Sequence, residues 1–285
     1  MGYIIQRIET TEHYHAAEEV QRRAWSILDD TEVVPLHLLV TAQKNGGLVL
    51  GAFDEEGRMI GFLFGFLGRT EEGKLKHCSH MMGVVPEAQG RGVGYALKLR
   101  QRDFALSQGL DLVTWTYDPL EGLNAFLNIA KLGVICQTYL RDVYGQLADG
   151  LNVGLSSDRF QVEWWIRSRR VEERLAQGGR RLRLEEVLAE GARLANTTER
   201  DPSGLLRPVG WERSLTAETL LVEIPARFQE IKAADMDLAR EWRAHTREVF
   251  ERYFAAGYTV CEFISQVQGG QRRNFYLLKR DFVVE

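Results

Sequence analysis

The stretch from residue 80 to 99, HMMGVVPEAQGRGVGYALKL, constrains the fold more than any other part of the sequence. Its first half is apolar and typical of a buried strand, and its second half has the spacing of a helix that is predicted to run to Ser107. Gly90, Gly92 and Gly94 lie between the two. Glycines at the start of a helix let backbone amides approach an anion closely. The sequence therefore predicts an anion-binding junction between a strand and a helix.

The elements around this junction alternate between strands and helices. Before it, two strands are joined by a Glu-Glu-Gly hairpin turn, which is typical of antiparallel pairing. Strands are predicted at 3–9, 48–54, 59–67, 77–85, 110–117, 134–140, 159–166 and 220–224. Helices are predicted at 11–27, after Pro35, from the glycine loop to Ser107, at 124–132 and at 236–256, followed by a terminal hairpin from 258 to 280. The pattern indicates a mixed α/β fold.

A change of composition divides the chain. Residues 168–193 are rich in Arg and Glu, and a solvated helix and linker is favoured over an anion-binding patch because acids and bases interleave. Residues 195–204 have the composition of a loop. We therefore predict a first domain over 1–167, a helical connection over 168–204 and a smaller α+β extension over 205–285.

Composition excludes several classes of protein. The 285 residues carry a net charge of −4, which gives no general attraction to nucleic acid or membranes. No apolar run is long enough for a membrane helix, and the first residues turn acidic too early for a signal peptide. Three distant cysteines and a His-x-His pair without a third ligand indicate no metal site. A cytoplasmic protein is expected.

Three known loops compete for the glycine junction. A Walker A loop fails because Tyr95 follows Gly94 where Lys is needed. A dinucleotide fingerprint fails because the spacing is G-x-G-x-G and an antiparallel meander precedes it. The pattern Q/R-x-x-G-x-G/A fits every position from Gln89 to Gly94.

With the preceding Gly83-Val84-Val85-Pro86 and the later Lys131-Leu132-Gly133, this pattern resembles the GNAT superfamily of acyl-CoA N-acyltransferases. The resemblance covers about residues 3–166 and includes the order of the elements. It implies a GNAT-like mixed-sheet fold, here followed by the smaller C-terminal subdomain. The whole chain is most similar to an uncharacterised prokaryotic group of predicted GNAT enzymes that carry such an extension.

The resemblance implies acetyl-CoA, with its coenzyme A portion held at the glycine junction, as the acyl donor. The pantetheine arm would lie where strand 77–85 diverges from strand 110–117, paired with backbone near Val84, and Asn124 is its further candidate contact. Asn128 is expected to face solvent. The residues implied for the pyrophosphate are Gln89, Gly90, Arg91, Gly92, Val93, Gly94 and Tyr95.

Candidates for proton transfer follow from the chemistry of amide formation, which needs a neutral amine and a proton for the departing thiolate. Alternation along the strand places His80 on one face with Cys78, Met82 and Val84. Cys78 occupies the position where the family often keeps a glutamate. His80 is therefore either the base, because its ordinary pKa is near 6.5, or a structural histidine.

The expected acid departs from the family pattern. Many GNAT enzymes carry a tyrosine four residues before the helix-ending glycine, and Ile129 stands there. Tyr139 and Tyr144 lie just beyond and are the remaining candidates, although neither matches the motif and core packing is the favoured interpretation of both.

The sequence thus predicts an acyl-CoA-dependent N-acyltransferase that moves acetyl from acetyl-CoA to an amine by direct attack in a ternary complex. A non-catalytic acyl-CoA-binding or sensing protein is the alternative, and a nucleotide-binding protein is a third. The acceptor amine is not identified, and no nucleic acid or membrane partner is expected. The C-terminal extension either covers the acceptor pocket or forms the surface of a homodimer.

Overall fold

The computed structural model describes residues 2–27, 29–145 and 153–285. These residues form a mixed α/β protein, which confirms the predicted class. They divide into two compact units, the first built mainly on the chain up to Trp115 and the second beginning at Thr116. This division follows compactness and does not test the extent of a family domain. The domains predicted at 1–167, 168–204 and 205–285 therefore stay predictions.

The first unit contains a sheet whose strands follow one another in chain order. Neighbouring strands are antiparallel except the last pair, β4 and β5, which is parallel. The elements are β1 (Tyr3–Arg7), α1 (Thr11–Trp25), α2 (Leu36–Lys44), β2 (Leu48–Asp54), β3 (Met59–Arg69), β4 (Leu75–Val84), α3 (Val93–Ser107) and β5 (Leu112–Tyr117), whose end belongs to the second unit.

The core of the first unit explains why these segments fold as they do. The middle strands β2 and β3 are buried along nearly all of their apolar runs. Helix α1 begins after Thr10, whose side chain accepts a hydrogen bond from the His13 amide. It ends before Ser26, which adopts a left-handed conformation at a φ of 52°. Sequence and structure agree on the α-helices and strands of this unit to within a few residues, whereas the short 3-10 helices Asp30–Glu32 and Pro86–Ala88 were not predicted.

The second unit contains strands in the order β7-β6-β12-β13-β11-β8, and a separate two-stranded sheet of β9 and β10. Its helix α4 continues directly into one π-helical segment, Phe126–Lys131. The elements are α4 (Gly122–Ala125), β6 (Ile135–Leu140), β7 (Arg159–Trp165), α5 (Arg169–Ala176), α6 (Leu184–Ala189), β8 (Arg193–Leu194), β9 (Asn196–Arg200), β10 (Leu206–Trp211), β11 (Thr219–Ile224), α7 (Phe228–Ala234), α8 (Met236–Ala255), β12 (Tyr258–Gln268) and β13 (Gln271–Arg280).

The loop predicted over residues 195–204 is wrong for half of its length, because residues 196–200 form strand β9. Strand β9 pairs with β10, and only the tight turn around Asp201 and Gly204 is a loop. The polar side chains of β9 suggested a loop, but threonine is compatible with an extended strand.

The Arg- and Glu-rich segment contributes both paired charges and core residues. Arg170 and Arg174 of α5 both form ion pairs with the buried Glu262. Leu184 and Val187 of α6 belong to a hydrophobic cluster of the second unit. The favoured interpretation as a solvated helix and linker is therefore wrong for these residues, because α5 and α6 contribute buried side chains to the unit.

The long helix α8, predicted over 236–256, buries one stripe of apolar side chains at helical spacing. Leu238, Trp242, Val249 and Tyr253 are all buried. None of the helices in the described residues is both long and apolar enough to span a membrane.

Candidate functional site

The glycine junction between β4 and α3 has the backbone of an anion site. Gly90 and Gly92 have φ angles of 75° and 82°, which glycine adopts without steric cost. Gly92 is the N-cap residue of α3, and no side chain caps the helix there. At this end of α3 the Ala96 amide donates to the Gly92 carbonyl at 3.0 Å. Because the first amides of a helix have no partner within it, this terminus can accept an oxyanion.

The residues predicted for the pyrophosphate lie together at this junction. The Gln89 amide group donates to the backbone carbonyl of Val84 at 3.2 Å, so the loop is tied to the end of β4. Val93 is buried in the core and anchors the first turn of α3, which also contains Gly94 and Tyr95. Arg91 is exposed. The role of each residue toward coenzyme A stays a prediction.

Strands β4 and β5 separate after two residue pairs. His77 pairs with Val113 and Cys78 with Thr114, and in the described chain these are the pairs that join the two strands. Strand β4 nevertheless continues to Val84. The backbone groups of β4 beyond Cys78 therefore form no pairs with β5. This is the separation of the two strands that the predicted pantetheine site requires.

A β-bulge interrupts β4 at His80. Met81 pairs with Phe64 on β3 and Ser79 pairs with Gly65, which leaves His80 as the extra residue between two consecutive pairs. Its ring lies 5.7 Å from that of Phe64 and 5.9 Å from that of Phe66. The bulge thus determines the direction of the candidate base.

The predicted face of β4 is wrong because simple alternation does not continue through a bulge. Cys78 pairs with Phe66, so it shares a face with His80 as predicted. Met82 and Val84 pair with residues on the opposite face of β3, and they do not share the face of His80. One inserted residue reverses the alternation on either side of it.

The environment of His80 suits a proton acceptor. The residue is exposed, and its ring has no hydrogen-bond partner among the described residues. The surrounding chain removes part of its hydration, which lowers the pKa of the imidazole. The ring is therefore neutral at pH 7 and can accept a proton.

The two candidate acids differ in their surroundings. The Tyr139 hydroxyl donates to Asp158 at 2.8 Å, and burial raises the pKa of this phenol. The side chain of Tyr144 is about half exposed, and its hydroxyl lies 3.1 Å from that of Thr116. Tyr139 already has a structural partner, so Tyr144 is the better candidate within the second unit. Neither role is established by these contacts.

The helix that would carry the family tyrosine is partly π-helical. Ile129 is fully buried in it, so no acid stands at that position. Asn128 is also buried, which corrects the expectation that it faces solvent. Asn124 is exposed on α4 and stays a predicted pantetheine contact. The π-helical turn changes which residues point inward, and helical periodicity alone could not predict this.

The cysteines do not resemble activated nucleophiles. All three are free thiols. Burial raises the pKa of Cys78 and raises that of Cys261 to about 12, which disfavours the thiolate. No cluster of three or more His, Cys, Asp or Glu side chains in the described part of the chain could hold a metal ion. The three thiols are therefore poorly suited to act as a covalent relay.

A buried polar cluster next to the strand separation was missed from the sequence. Lys98 of α3 is 2% exposed, and its ammonium group donates to the Ser79 hydroxyl at 2.8 Å and to the Gln101 carbonyl oxygen at 3.2 Å. It also lies 3.6 Å from the centre of the Trp115 ring. Burial lowers the pKa of Lys98 to about 7. One sequence signal could have predicted this cluster: Gln101 follows the apolar Leu97 at an i+4 spacing, which places it on the same buried face of α3.

His77 belongs to the same region and should make stability depend on pH. It is fully buried without a hydrogen bond to either ring nitrogen, and burial lowers its pKa to about 4. Because its unfolded pKa is near 6.5, the unfolded chain binds more protons between these values. Stability should therefore fall as the pH drops from about 6.5 to 4, by about 3 kcal/mol for this group.

Urea unfolding of the wild type and His77→Asn at pH 7 and pH 4.5 measures this effect. The variant should lose less stability than the wild type between the two values. Equal losses in both proteins would show that His77 is not the group responsible.

Comparison with known proteins gives similarity in fold. No protein-family profile matches the sequence, and no curated protein matches it. One similar structure is the ribosomal-protein-S18-alanine N-acetyltransferase of Escherichia coli, at 17% identity and a TM-score of 0.45, covering 58% of this chain and 94% of its own. A GNAT-family acetyltransferase from Streptococcus pneumoniae is 14% identical at a TM-score of 0.46, and the match covers 57% of this chain and 98% of that protein. A chain of the NatC complex bound to Gag peptide and CoA is 14% identical at a TM-score of 0.46, and the match covers 57% of this chain and 98% of that chain.

Proposed function

We propose that this protein is an acyl-CoA-dependent N-acyltransferase that transfers acetyl from acetyl-CoA to an amine. One observation carries the proposal: the uncapped glycine junction directly follows a strand that separates from its parallel neighbour. The junction offers amides for a diphosphate, and the separated strand offers backbone groups for an extended amide-containing arm. Coenzyme A contains both of these groups in that order.

The glycine junction would hold the donor through its backbone. Amides at the start of α3 face the diphosphate, and the positive end of the helix favours its charge. The free backbone of β4 between Ser79 and Val84 would pair with the pantetheine amides. This arrangement would direct the thioester along β4 toward the bulge at His80.

His80 would act as the general base. Its neutral ring removes a proton from the acceptor ammonium, either directly or through one water, and the amine nitrogen then attacks the thioester carbonyl. The new C–N bond forms as the C–S bond breaks, and the second proton that the amine nitrogen loses passes to the departing thiolate or to solvent. This step needs no covalent intermediate on the protein.

The departing thiolate needs a proton or a strong hydrogen bond. Tyr144 is the candidate donor because its side chain is about half exposed, whereas the hydroxyl of Tyr139 already donates to the carboxylate of Asp158. Coenzyme A can also leave as a thiolate, since thiols ionise at moderately alkaline pH. The transfer therefore does not depend on a tyrosine at the position of Ile129.

Binding without catalysis is the second candidate function, and the buried Ile129 favours it. A protein that senses acyl-CoA needs the glycine junction and the separated strands, but it does not need an acid. The two functions share the donor site and differ only in turnover.

Calorimetric titration with coenzyme A and acetyl-CoA, followed by an assay of CoA release over a panel of amines, tests both candidates. The panel contains free amino acids, peptide N-termini, lysine side chains and polyamines. Binding with transfer to an amine supports the acetyltransferase, and binding without turnover supports the sensor. Preference for ATP or NAD over coenzyme A would contradict both.

A further inference from the structure

We propose that Lys98 is a positioning residue that holds β4 and β5 at the point where they separate. The part of this proposal that concerns transfer rests on the proposed function. The part that concerns the two strands stands on contacts within the first unit alone.

The contacts of Lys98 reach both strands at the same level. The last pair between the strands is Cys78 with Thr114, and the next residues along them are Ser79 and Trp115. The Lys98 nitrogen donates to the Ser79 hydroxyl at 2.8 Å and lies 3.6 Å from the Trp115 ring centre. One side chain from α3 therefore joins the first two residues that no longer pair with each other.

This lysine does not need its charge to make these contacts. Both the ammonium and the neutral amine have enough N–H groups for Ser79 and Gln101. The described residues contain no ion pair to Lys98, and a buried lysine without a carboxylate partner is unusual. Packing alone would be satisfied by an apolar side chain of the same length. The hydrogen bonds are therefore what distinguishes this residue from a methionine.

The cluster is also incompletely satisfied. The Gln101 side-chain nitrogen and both ring nitrogens of His77 are buried without a partner. Groups of this kind reduce stability, so the cluster is not explained as a stabilising feature of the core. Holding Ser79 in place explains it, because the next residue is the bulged His80.

Fixing Ser79 would fix the bulge and the direction of the imidazole. When the hydrogen bond is lost, β4 is free to move relative to β5 beyond Cys78, and the distance from His80 to the thioester varies. Lys98 does not touch the reacting atoms in this scheme. It acts through Ser79 and the backbone.

The test compares Lys98→Met with Leu97→Ala in the full chain. Methionine keeps the length and the apolar stem but removes the donors, whereas the neighbouring Leu97→Ala weakens the core of the same helix without touching the separation. Hydrogen exchange is measured for the amides of residues 79–84 and, as an internal reference, for those of β2.

Lys98→Met should accelerate exchange at 79–84 by about tenfold more than exchange in β2, because the change is local. Leu97→Ala should accelerate both segments to a similar extent. With acetyl-CoA and a responsive amine, Lys98→Met should lower kcat by about tenfold and leave the KM for acetyl-CoA within about threefold, because misplacement costs rate more than binding.

Equal acceleration in both segments by Lys98→Met would overturn the proposal, as would exchange unchanged from the wild type. A wild-type kcat in a Lys98→Met protein would also overturn it while leaving the transferase assignment intact. A wild type that binds no coenzyme A would instead contradict the proposed function, and the exchange data would still decide whether Lys98 holds the strands.

Discussion

Replacing Gly90 by alanine is expected to raise the Kd for coenzyme A by about tenfold or more while the protein stays folded. Gly90 has a φ of 75°, and a β-carbon added there would meet no atom within 4 Å. The methyl group therefore does not clash with the protein. It occupies the space through which a diphosphate would approach the amides, and it favours a different backbone conformation of the loop.

Gly57 provides a matched control for this substitution. It lies in the turn between β2 and β3 with a φ of 76°, and it also has no neighbour within 4 Å of an added β-carbon. Gly57→Ala carries the same conformational cost of about 1–2 kcal/mol but lies outside the loop. Calorimetry should find unchanged coenzyme A binding in Gly57→Ala. Equal affinities in the two variants would show that the junction does not hold the donor.

Replacing His80 by alanine is expected to lower kcat by about 100-fold, the usual contribution of a general base. Affinity for coenzyme A should stay within about twofold of the wild type, because the diphosphate is held at the other end of the strand. Steady-state kinetics with acetyl-CoA and the best amine of the panel measure the first effect, and calorimetry measures the second.

His80→Phe separates the chemistry from the packing. The histidine ring lies against Phe64 and Phe66, and phenylalanine keeps an aromatic ring there without a proton acceptor. If proton transfer is the role of His80, both variants should lose activity to a similar extent. Near wild-type turnover in His80→Phe would leave His80 a structural role only.

The lowered pKa of His80 predicts the sign of the pH dependence of the proposed transfer. Burial lowers this pKa below its ordinary value of 6.5, so the neutral form persists to lower pH than in a free histidine. Activity should therefore decline on the acid side only below that ordinary value. The acid limb should disappear from the residual activity of His80→Ala.

Much of the first unit could be predicted because its signals are local. The continuous apolar runs of β2 and β3, the hairpin between them and the positive φ of Gly90 and Gly92 follow from residue type and spacing. The stripe on α8 was predictable for the same reason. Each of these features depends on interactions between residues close in sequence.

The errors lie where the chain departs from regular periodicity. The bulge at His80 is specified by pairing with β3, and the buried position of Asn128 depends on a π-helical segment. Polar composition suggested a loop where β9 pairs with β10. The sequence pattern of a single strand or helix does not include the neighbouring segment on which these features depend.

The sequence by itself determined the junction of strand, glycine loop and helix, because only glycine adopts its backbone angles without strain and a helix start has free amides. The tertiary structure alone decided which side chains meet beside it. Lys98, Ser79 and Trp115 come from three separate elements, and their contacts exist only once α3 has packed on the sheet. Contacts between distant segments depend on packing and register, which local periodicity does not encode.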